Sequence, residues 1–554
     1  MRAVALCSFC LLAGGAALTA AAMDRARAEL NADKAIAEFK VTGKGVLVAI
    51  MDRGIDWQND DFRNADGSTR IKWIFDLTDD SGANQNSNRY RVGTVYSEQQ
   101  INAALRGGRK LPTRDAIGHG TTTTGIACGS GRNSPGRKYR GLAPEASIIC
   151  VKICSDGATA HDGEPAEAAF YDHGRVFVAI DFIRDKAKEL GMPCVMVLNI
   201  GTQGGPTDGT SDLCRKIDDT VGPEKPGLIF VTGPGDDGGR ANRAGGRLQQ
   251  GQKLALKIRK ESQTPVVVDL WYPGEDRLDV AVETPGGKRG PFPPPVADDE
   301  SVNKTFDHFD LQHNSGGARF YDPQNTKRQI WLNLKGPPGD YALVLHGKVI
   351  KQGRFDATIN PNSPSPVQPP FNRFLNYLAP GSIWDGATAR HNICPGDYVI
   401  RTETDALDGQ HYARNNEGLI GELWKGSSTG PTFDGRPGVD FCVPADIVFT
   451  TYNPKSAWAQ AKWNLARDGR GLYGNASAVS AANPMAAGVI ALMLELDPQL
   501  DAVTAKTLLQ KSARSDRFTG KTPNPAWGHG KLDVFTALKL TRQNADKRRR
   551  GSRK

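Results

Sequence analysis

Three short stretches place residues suited to proton transfer and nucleophilic attack at the mouths of secondary-structure elements. In "VAIMDRGID", Asp52 ends a buried aliphatic run. In "DAIGHGTTTTGIACG" (115–129), His119 stands between Gly118 and Gly120, ahead of a run of small residues. In "YGNASAVSAANPMAAG" (473–488), Ser480 opens an apolar helix-like run, a placement that Ser477 lacks. Histidine moves protons near neutral pH. A serine at a helix N-terminus has backbone N–H groups that stabilise negative charge on oxygen. Taken singly, each residue has an ordinary structural explanation: a turn-capping aspartate, a helix-start histidine and an N-cap serine. Together they form an orienter, base and nucleophile set.

The elements that must hold these residues follow from periodicity. "GKGVLVAIMDRGID" (43–56), "ASIICVKI" (146–153), "CVMVLNIG" (194–201) and "GLIFVTG" (227–233) are continuous aliphatic runs, predicting buried strands. Helical spacing predicts helices over 168–191, near Ser211–Thr220, and over 483–498, the last stopped by Asp-Pro. Strands alternating with helices give an α/β domain with a mostly parallel, covered sheet. In such sheets the C-terminal ends of the strands face the functional crevice, and Asp52 lies at one. From about Gly245 the texture changes. "KLALKIRK", "TPVVVDLWYPG", "LDVAVETPGG", "RQIWLNLKG" and "GDYALVLHG" alternate with Pro/Gly turns, which predicts an antiparallel β-sandwich module inserted over 246–360. "NPNSPSPVQPP" (360–370) is a linker, after which the α/β texture resumes with "DFCVPADIVFT".

The chain has 554 residues, 39% hydrophobic and 24% charged, a composition that suits a globular protein of more than one domain. Its net charge of +9 is concentrated at one end: Arg542–Lys554 holds seven basic residues and one acid, Asp546. That tail reads as solvated and disordered, with weak contact to an anionic surface as the sharper alternative. Nothing else points to specific nucleic-acid recognition. The N-terminus, with Arg2 before an Ala/Leu/Gly run and A-x-A choices at Ala20–Ala22 and Ala26–Ala28, has the pattern of a cleaved secretory signal peptide, assigned to 1–28. An uncleaved anchor is the alternative. Seven cysteines follow the leader, an odd number in a large chain, and most lie in apolar runs. Buried thiols are the default expectation, with one or two bridges as the alternative. Cys150 and Cys154 form C-x3-C with no partner cluster for zinc.

In the order Asp52…His119…Ser480, the motifs "DRGID", "GHGT" and "SAANPMAAG" resemble those of the subtilisin-like serine proteases (peptidase S8). "GLAPEASIICVKI", "SSTGPTFDGRPGVDFCVPA" (427–445) and "WGHGKLDVFTAL" (527–538) resemble further segments of that family, so the likeness spans roughly 40–240 and 375–540. The resemblance implies a three-layer α/β domain in two parts, 29–245 and 361–541, followed by the tail 542–554. The insert resembles the jelly-roll-like module of some bacterial members. The family resemblance implies an endopeptidase acting on protein or peptide substrates, with Ser480 as nucleophile, His119 as base and Asp52 as orienter; the leader alone makes it secreted or periplasmic, and no cofactor is expected. Calcium is common in resembling enzymes, but the run Asn59-Asp60-Asp61 is too generic to assign, and no required metal is expected.

Several positions depart from the family pattern. Ala478-Val479 stands where Gly-Thr is usual, and Arg53 where a small or hydroxylated residue is usual. In "FVTGPGDDGG" (230–239), Asp236 takes the place of the asparagine that donates to the oxyanion, or Asp237 if the register slips by one. An ionised carboxylate there repels developing negative charge; a protonated one donates. This predicts an acid-shifted activity. "NIGTQGG" (199–205) replaces the usual Ser-Leu-Gly substrate border, so the wall of the first specificity pocket differs. Only about twenty residues separate the leader from the first catalytic strand, too few for a folding pro-domain. The insert reads as a brace, for it shows no aromatic stripe or charge cluster. The alternative to an enzyme is a catalytically weak or silent protease-like protein that binds peptides or regulates.

Overall fold

A computed structural model describes residues 22–86, 88–316, 325–360, 371–414 and 417–551. Most of the leader and the linker 361–370 fall outside the described residues. The first sheet uses strands β1 (Leu47–Asp52), β2 (Ile71–Asp76), β3 (Thr94–Ser97) and β4 (Ser147–Lys152). A hairpin of β5 (Cys154–Ala158) and β6 (Glu167–Tyr171) follows β4 directly. Strands β7 (Cys194–Leu198) and β8 (Leu228–Val231) complete the order β3-β2-β4-β1-β7-β8. Every pair is parallel except β2–β3. β1 is buried along its whole length, which explains why it reads as an unbroken apolar run rather than an alternating one.

The helices are α1 (Ala22–Glu29), α2 (Ala32–Phe39), α3 (Glu98–Leu105), α4 (His119–Cys128), α5 (His173–Leu190), α6 (Asp212–Thr220), α7 (Ala457–Gln460), α8 (Val479–Leu496), α9 (Ala502–Ser512) and α10 (Val534–Gly551). Helices α4 and α8 pack on each other and on β1, and all of α4 is buried. The small residues of α4 also permit close approach to the turn that leaves β1: a Cβ on Gly120 would lie 2.0 Å from the carbonyl oxygen of Gly54.

Three local expectations are corrected. The helix expected from 168 begins at His173, because 167–171 pairs with β5 and Glu167 bonds Lys152 Nζ (2.6 Å) and Ser155 Oγ (2.6 Å). The basic end, expected to be disordered from 542, continues as helix α10 to Gly551; Ala545 is buried and Arg548 pairs with Asp497. Residues 22–28, expected within the leader, form helix α1, which buries Met23 and Ala26 and sends Arg27 Nη1 to the Arg140 carbonyl (2.7 Å). The Ala26–Ala28 cleavage choice therefore lies inside a packed helix, whereas the Ala20–Ala22 choice falls mostly outside the described residues. All seven cysteines after the leader are buried free thiols, with no bridge among the described residues.

The inserted strands are β9 (Arg243–Arg247), β10 (Lys253–Lys260), β11 (Val266–Tyr272), β12 (Arg277–Thr284), β13 (Gly287–Phe292), β14 (Ser301–Thr305), β15 (Phe309–Asn314), β16 (Arg328–Leu334), β17 (Gly339–Val349) and β18 (Arg354–Asn360). They form two antiparallel sheets: β13-β12-β17-β10, extended by Arg373–Phe374, and β14-β15-β16-β11-β18-β9. Alternate residues such as Leu254, Leu256 and Ile258 of β10 and Val266, Val268 and Leu270 of β11 share one apolar core. The opposite face of β11 meets the α/β unit, where Asp269 Oδ2 accepts the Gly205 N–H (2.7 Å).

Candidate active site

Asp52 is the last residue of β1, so its carboxylate emerges at the C-terminal edge of the parallel sheet. His119 is the first residue of α4. Gly118, at φ 104°, supplies the left-handed turn before it. Asp115 fixes this helix start by accepting the N–H groups of Gly118 (2.8 Å) and Thr121 (2.8 Å). The result is a contact of 2.7 Å between His119 Nδ1 and Asp52 Oδ1. With Nδ1–H donating to the carboxylate, Nε2 is left as the acceptor.

Asp52 is fully buried and well partnered. Its Oδ1 also accepts the Arg53 N–H (2.7 Å), and its Oδ2 accepts Thr123 Oγ1 (3.0 Å) and Asn199 Nδ2 (3.2 Å). Burial opposes ionisation of this carboxyl. The charge and hydrogen bond of His119, with Arg53 behind them, outweigh burial and hold it below the usual carboxylate range. The Arg53 guanidinium lies 3.7 Å from Asp52 Oδ1 and 3.5 Å from His119 Nδ1, and its Nε pairs with Asp156 (2.6 Å) on β5.

Ser480 is the second residue of α8 and is half-buried. Among the described residues no hydrogen bond joins it to His119; its tie to Asp52 runs through Asn199. Asn199 Nδ2 donates to the Ser480 carbonyl (3.0 Å) as well as to Asp52, and Asn199 Oδ1 accepts Asn483 Nδ2 (2.9 Å). One amide thus links the ends of β1 and β7 to the first turns of α8. The turn into α8 is strained: Ala478 has φ 68° and ψ −178°, a region in which glycine is nearly alone.

Asp236 lies against this helix start, with Oδ1 accepting the Val479 N–H (3.0 Å). Burial, with the neighbouring Asp237 charge, pushes its carboxyl up to about 6, against the pull of that N–H and of His119. Asp237 is engaged elsewhere, with Arg240 (3.0 Å) and the Trp384 indole N–H (2.5 Å). Of the two aspartates, Asp236 is the one beside Ser480.

The sequence reading missed Asn199, Thr123 and Asn483. Asn199 sits at the head of the "NIGTQGG" stretch, which the sequence resemblance singles out as a whole and not by its first residue. The Asn59-Asp60-Asp61 run is committed to protein donors: Asp61 accepts Ser130 Oγ (3.1 Å), the Arg132 N–H (3.0 Å), Thr451 Oγ1 (2.7 Å) and the Tyr473 hydroxyl (3.1 Å). No group of three or more His, Cys, Asp or Glu among the described residues is arranged to hold a metal ion.

Comparison with known proteins gives four findings. The model of the subtilase family, peptidase S8, matches residues 43–253 and 399–530. The solved structure of the Clostridium perfringens CspB protease superposes with a TM-score of 0.70 at 23% identity, covering 93% of this chain and 97% of that one. A psychrophilic protease covers 89% of this chain and 93% of its own, at 15% identity and a TM-score of 0.41. No curated protein matches the sequence.

Proposed function

The chain belongs to the subtilase family of serine endopeptidases, and we propose that it cleaves peptide bonds with Asp52, His119 and Ser480 as its triad and Asp236 as a titratable oxyanion residue. The observation that carries this reading is the 2.7 Å contact of His119 Nδ1 with buried Asp52, tied through Asn199 to the start of α8. Ser480 Oγ attacks the peptide carbonyl as His119 Nε2 takes its proton. Asp52 stabilises the imidazolium that forms. The tetrahedral oxyanion faces the N-terminus of α8 and the Asp236 carboxyl. Collapse breaks the C–N bond, and His119 returns the proton to the leaving amine. Water then attacks the acyl-enzyme by the same base, and release of the acid restores Ser480. The substrate is an extended peptide whose main chain pairs beside residues 200–203.

The leader composition supports export to the periplasm or beyond. The basic last turn of α10 supports weak contact with an anionic surface. One observation favours the catalytically weak alternative: above its titration range, Asp236 presents a negative charge where the oxyanion forms. Fluorophosphonate labelling of purified protein from mildly acidic to alkaline pH separates the readings, with Ser480→Ala as control. Labelling lost in the variant supports an activated Ser480. Folded protein that never labels supports a silent peptide-binding role.

A further inference from the structure

We propose that the Trp384 indole closes the pocket for the residue on the acyl side of the scissile bond, so that cleavage follows glycine or alanine. This rests on the triad reading above. A peptide carbonyl placed between Ser480 and Asp236 sets its own side chain over the gap between the segments leaving β7 and β8. Those segments contribute Gly201, two residues after Asn199, and Gly235, one residue before Asp236. In an open pocket this gap receives the side chain.

Here Trp384 spans it. A Cβ built on Gly201 would lie 2.5 Å from Cε3 of the indole, and one on Gly235 would lie 2.2 Å from Cε2 and 2.3 Å from Nε1. Opposite ends of one ring therefore rest against the two main chains. No side chain enters between them without moving the ring, and the ring is anchored. The Trp384 N–H donates to the Pro234 carbonyl (2.9 Å), and Nε1 donates to Asp237 Oδ2 (2.5 Å). Asp237 is in turn held by Arg240 (3.0 Å) and by Ser428 Oγ, which accepts its N–H (2.9 Å).

Behind the ring lies a cavity of about 550 Å³, bounded by Gly201–Gly205, by Leu213 of α6 and by Asp269 and Trp331 of the insert. Trp384 lines it, whereas Asp52, His119, Asp236 and Ser480 do not. The indole thus borders a space large enough for any side chain, one that the catalytic residues do not line, and on this proposal its removal opens that space to the catalytic cleft.

The test is a set of peptidyl phosphonates and matched peptide substrates that differ only in that residue: Gly, Ala, Leu or Phe. The wild-type protein is expected to favour Gly or Ala over Leu or Phe by at least about 100-fold in kcat/KM, near the upper limit for discrimination by pocket size alone. Trp384→Gly is expected to raise the Phe-to-Ala ratio by about 10–100-fold. A ratio measured on one preparation is insensitive to the fraction that is folded. Should the variant not fold, the wild-type profile alone decides. Labelling of wild-type protein with equal or better rates for Phe or Leu overturns the proposal and leaves the triad standing. Folded protein that labels with no phosphonate overturns the triad reading and the proposal with it.

Discussion

Asp236→Asn is the substitution that most directly probes the atypical site. Asparagine keeps an oxygen to accept the Val479 N–H, now at 3.0 Å from Asp236 Oδ1, and turns an NH2 group toward the developing oxyanion. The wild-type carboxyl titrates at about 6. Near pH 5 such a group is protonated in about nine molecules of ten, and near pH 8 in about one of a hundred. One oxyanion donor is worth about 10²–10³ in rate, a magnitude taken from subtilisin, a member of this family. If only the protonated carboxyl donates, wild-type kcat/KM near pH 8 is limited to about one hundredth of its donor-competent value. The ratio of variant to wild type should then climb from about one near pH 5 to about 10² near pH 8. His119 must also be neutral, but that requirement cancels in the ratio. The assay is kcat/KM for one alanine-terminated acyl substrate, with active sites counted by fluorophosphonate. A ratio that stays constant with pH would refute the reasoning, as would a variant slower than wild type at every pH.

Three further substitutions test neighbouring parts of the site. Ala478→Gly should stabilise the fold by about 1 kcal/mol, since it relieves a strain of about 1–3 kcal/mol and costs part of that in unfolded-chain entropy; denaturant unfolding reads it. Asn199→Ala leaves Asp52 Oδ2, the Ser480 carbonyl and Asn483 short of a partner, so it should cost about 1–3 kcal/mol of stability. It should also lower kcat/KM at least about tenfold, measured beside its melting curve. Arg53→Met removes one of the groups that hold the Asp52 carboxyl low. A depressed carboxyl stabilises the fold above its unfolded pKa, and that contribution is lost as pH falls through the folded value. Raising the Asp52 pKa should therefore reduce stability at neutral pH and move the acid-unfolding midpoint up by less than about one pH unit, as followed by circular dichroism.

What the sequence made legible was local, and what it hid was contact between distant segments. Asp52, His119 and Ser480 each sit where an apolar run meets a turn or a glycine, so type and position coincide within a few residues. Asp236 was readable because a pair of aspartates follows a strand ending in glycines; its partner, the Val479 N–H, was not. Asn199 becomes important only when β7 lies beside β1 and α8 closes over both. Trp384 stands beyond the insert in irregular chain, and nothing nearby indicates that it reaches back to Gly201 and Gly235. The first turn expected of α5 went to β6 because "EAAFY" suits either period, and its partners in β4 and β5 decided the matter. The basic end became helix because Lys and Arg are good helix formers and Leu538 and Ala545 extend an apolar side. The insert reads as a brace from its composition, but which of its residues meet the α/β unit was not legible: Asp269 and Trp331 are cross-strand partners on the row that faces it.

The departures from the family pattern converge on one hydroxyl, and their kind bears on whether the site is tuned or decayed. A site released from selection would be expected to lose its costly buried polar bonds first, because unpartnered polar groups cost about 1–3 kcal/mol each. Here most of those bonds are made: Asp52 has His119, Thr123, Asn199 and the Arg53 N–H, and Asn199 has the Ser480 carbonyl and Asn483, while Asn483 Oδ1 alone in this network is buried without a partner among the described residues. The changes instead alter charge and strain. Arg53 adds a cation beside Asp52, Asp236 adds a titratable acid beside the helix start, and Ala478 retains a glycine-like turn at the expense of strain. With Asp52, His119 and Ser480 as the proposed triad, such changes would leave the proton-transfer pair intact and would make stabilisation of the oxyanion conditional on pH. That combination is what a protease restricted to a mildly acidic setting requires, and the pH dependence of Asp236→Asn against wild type distinguishes it from simple loss of function.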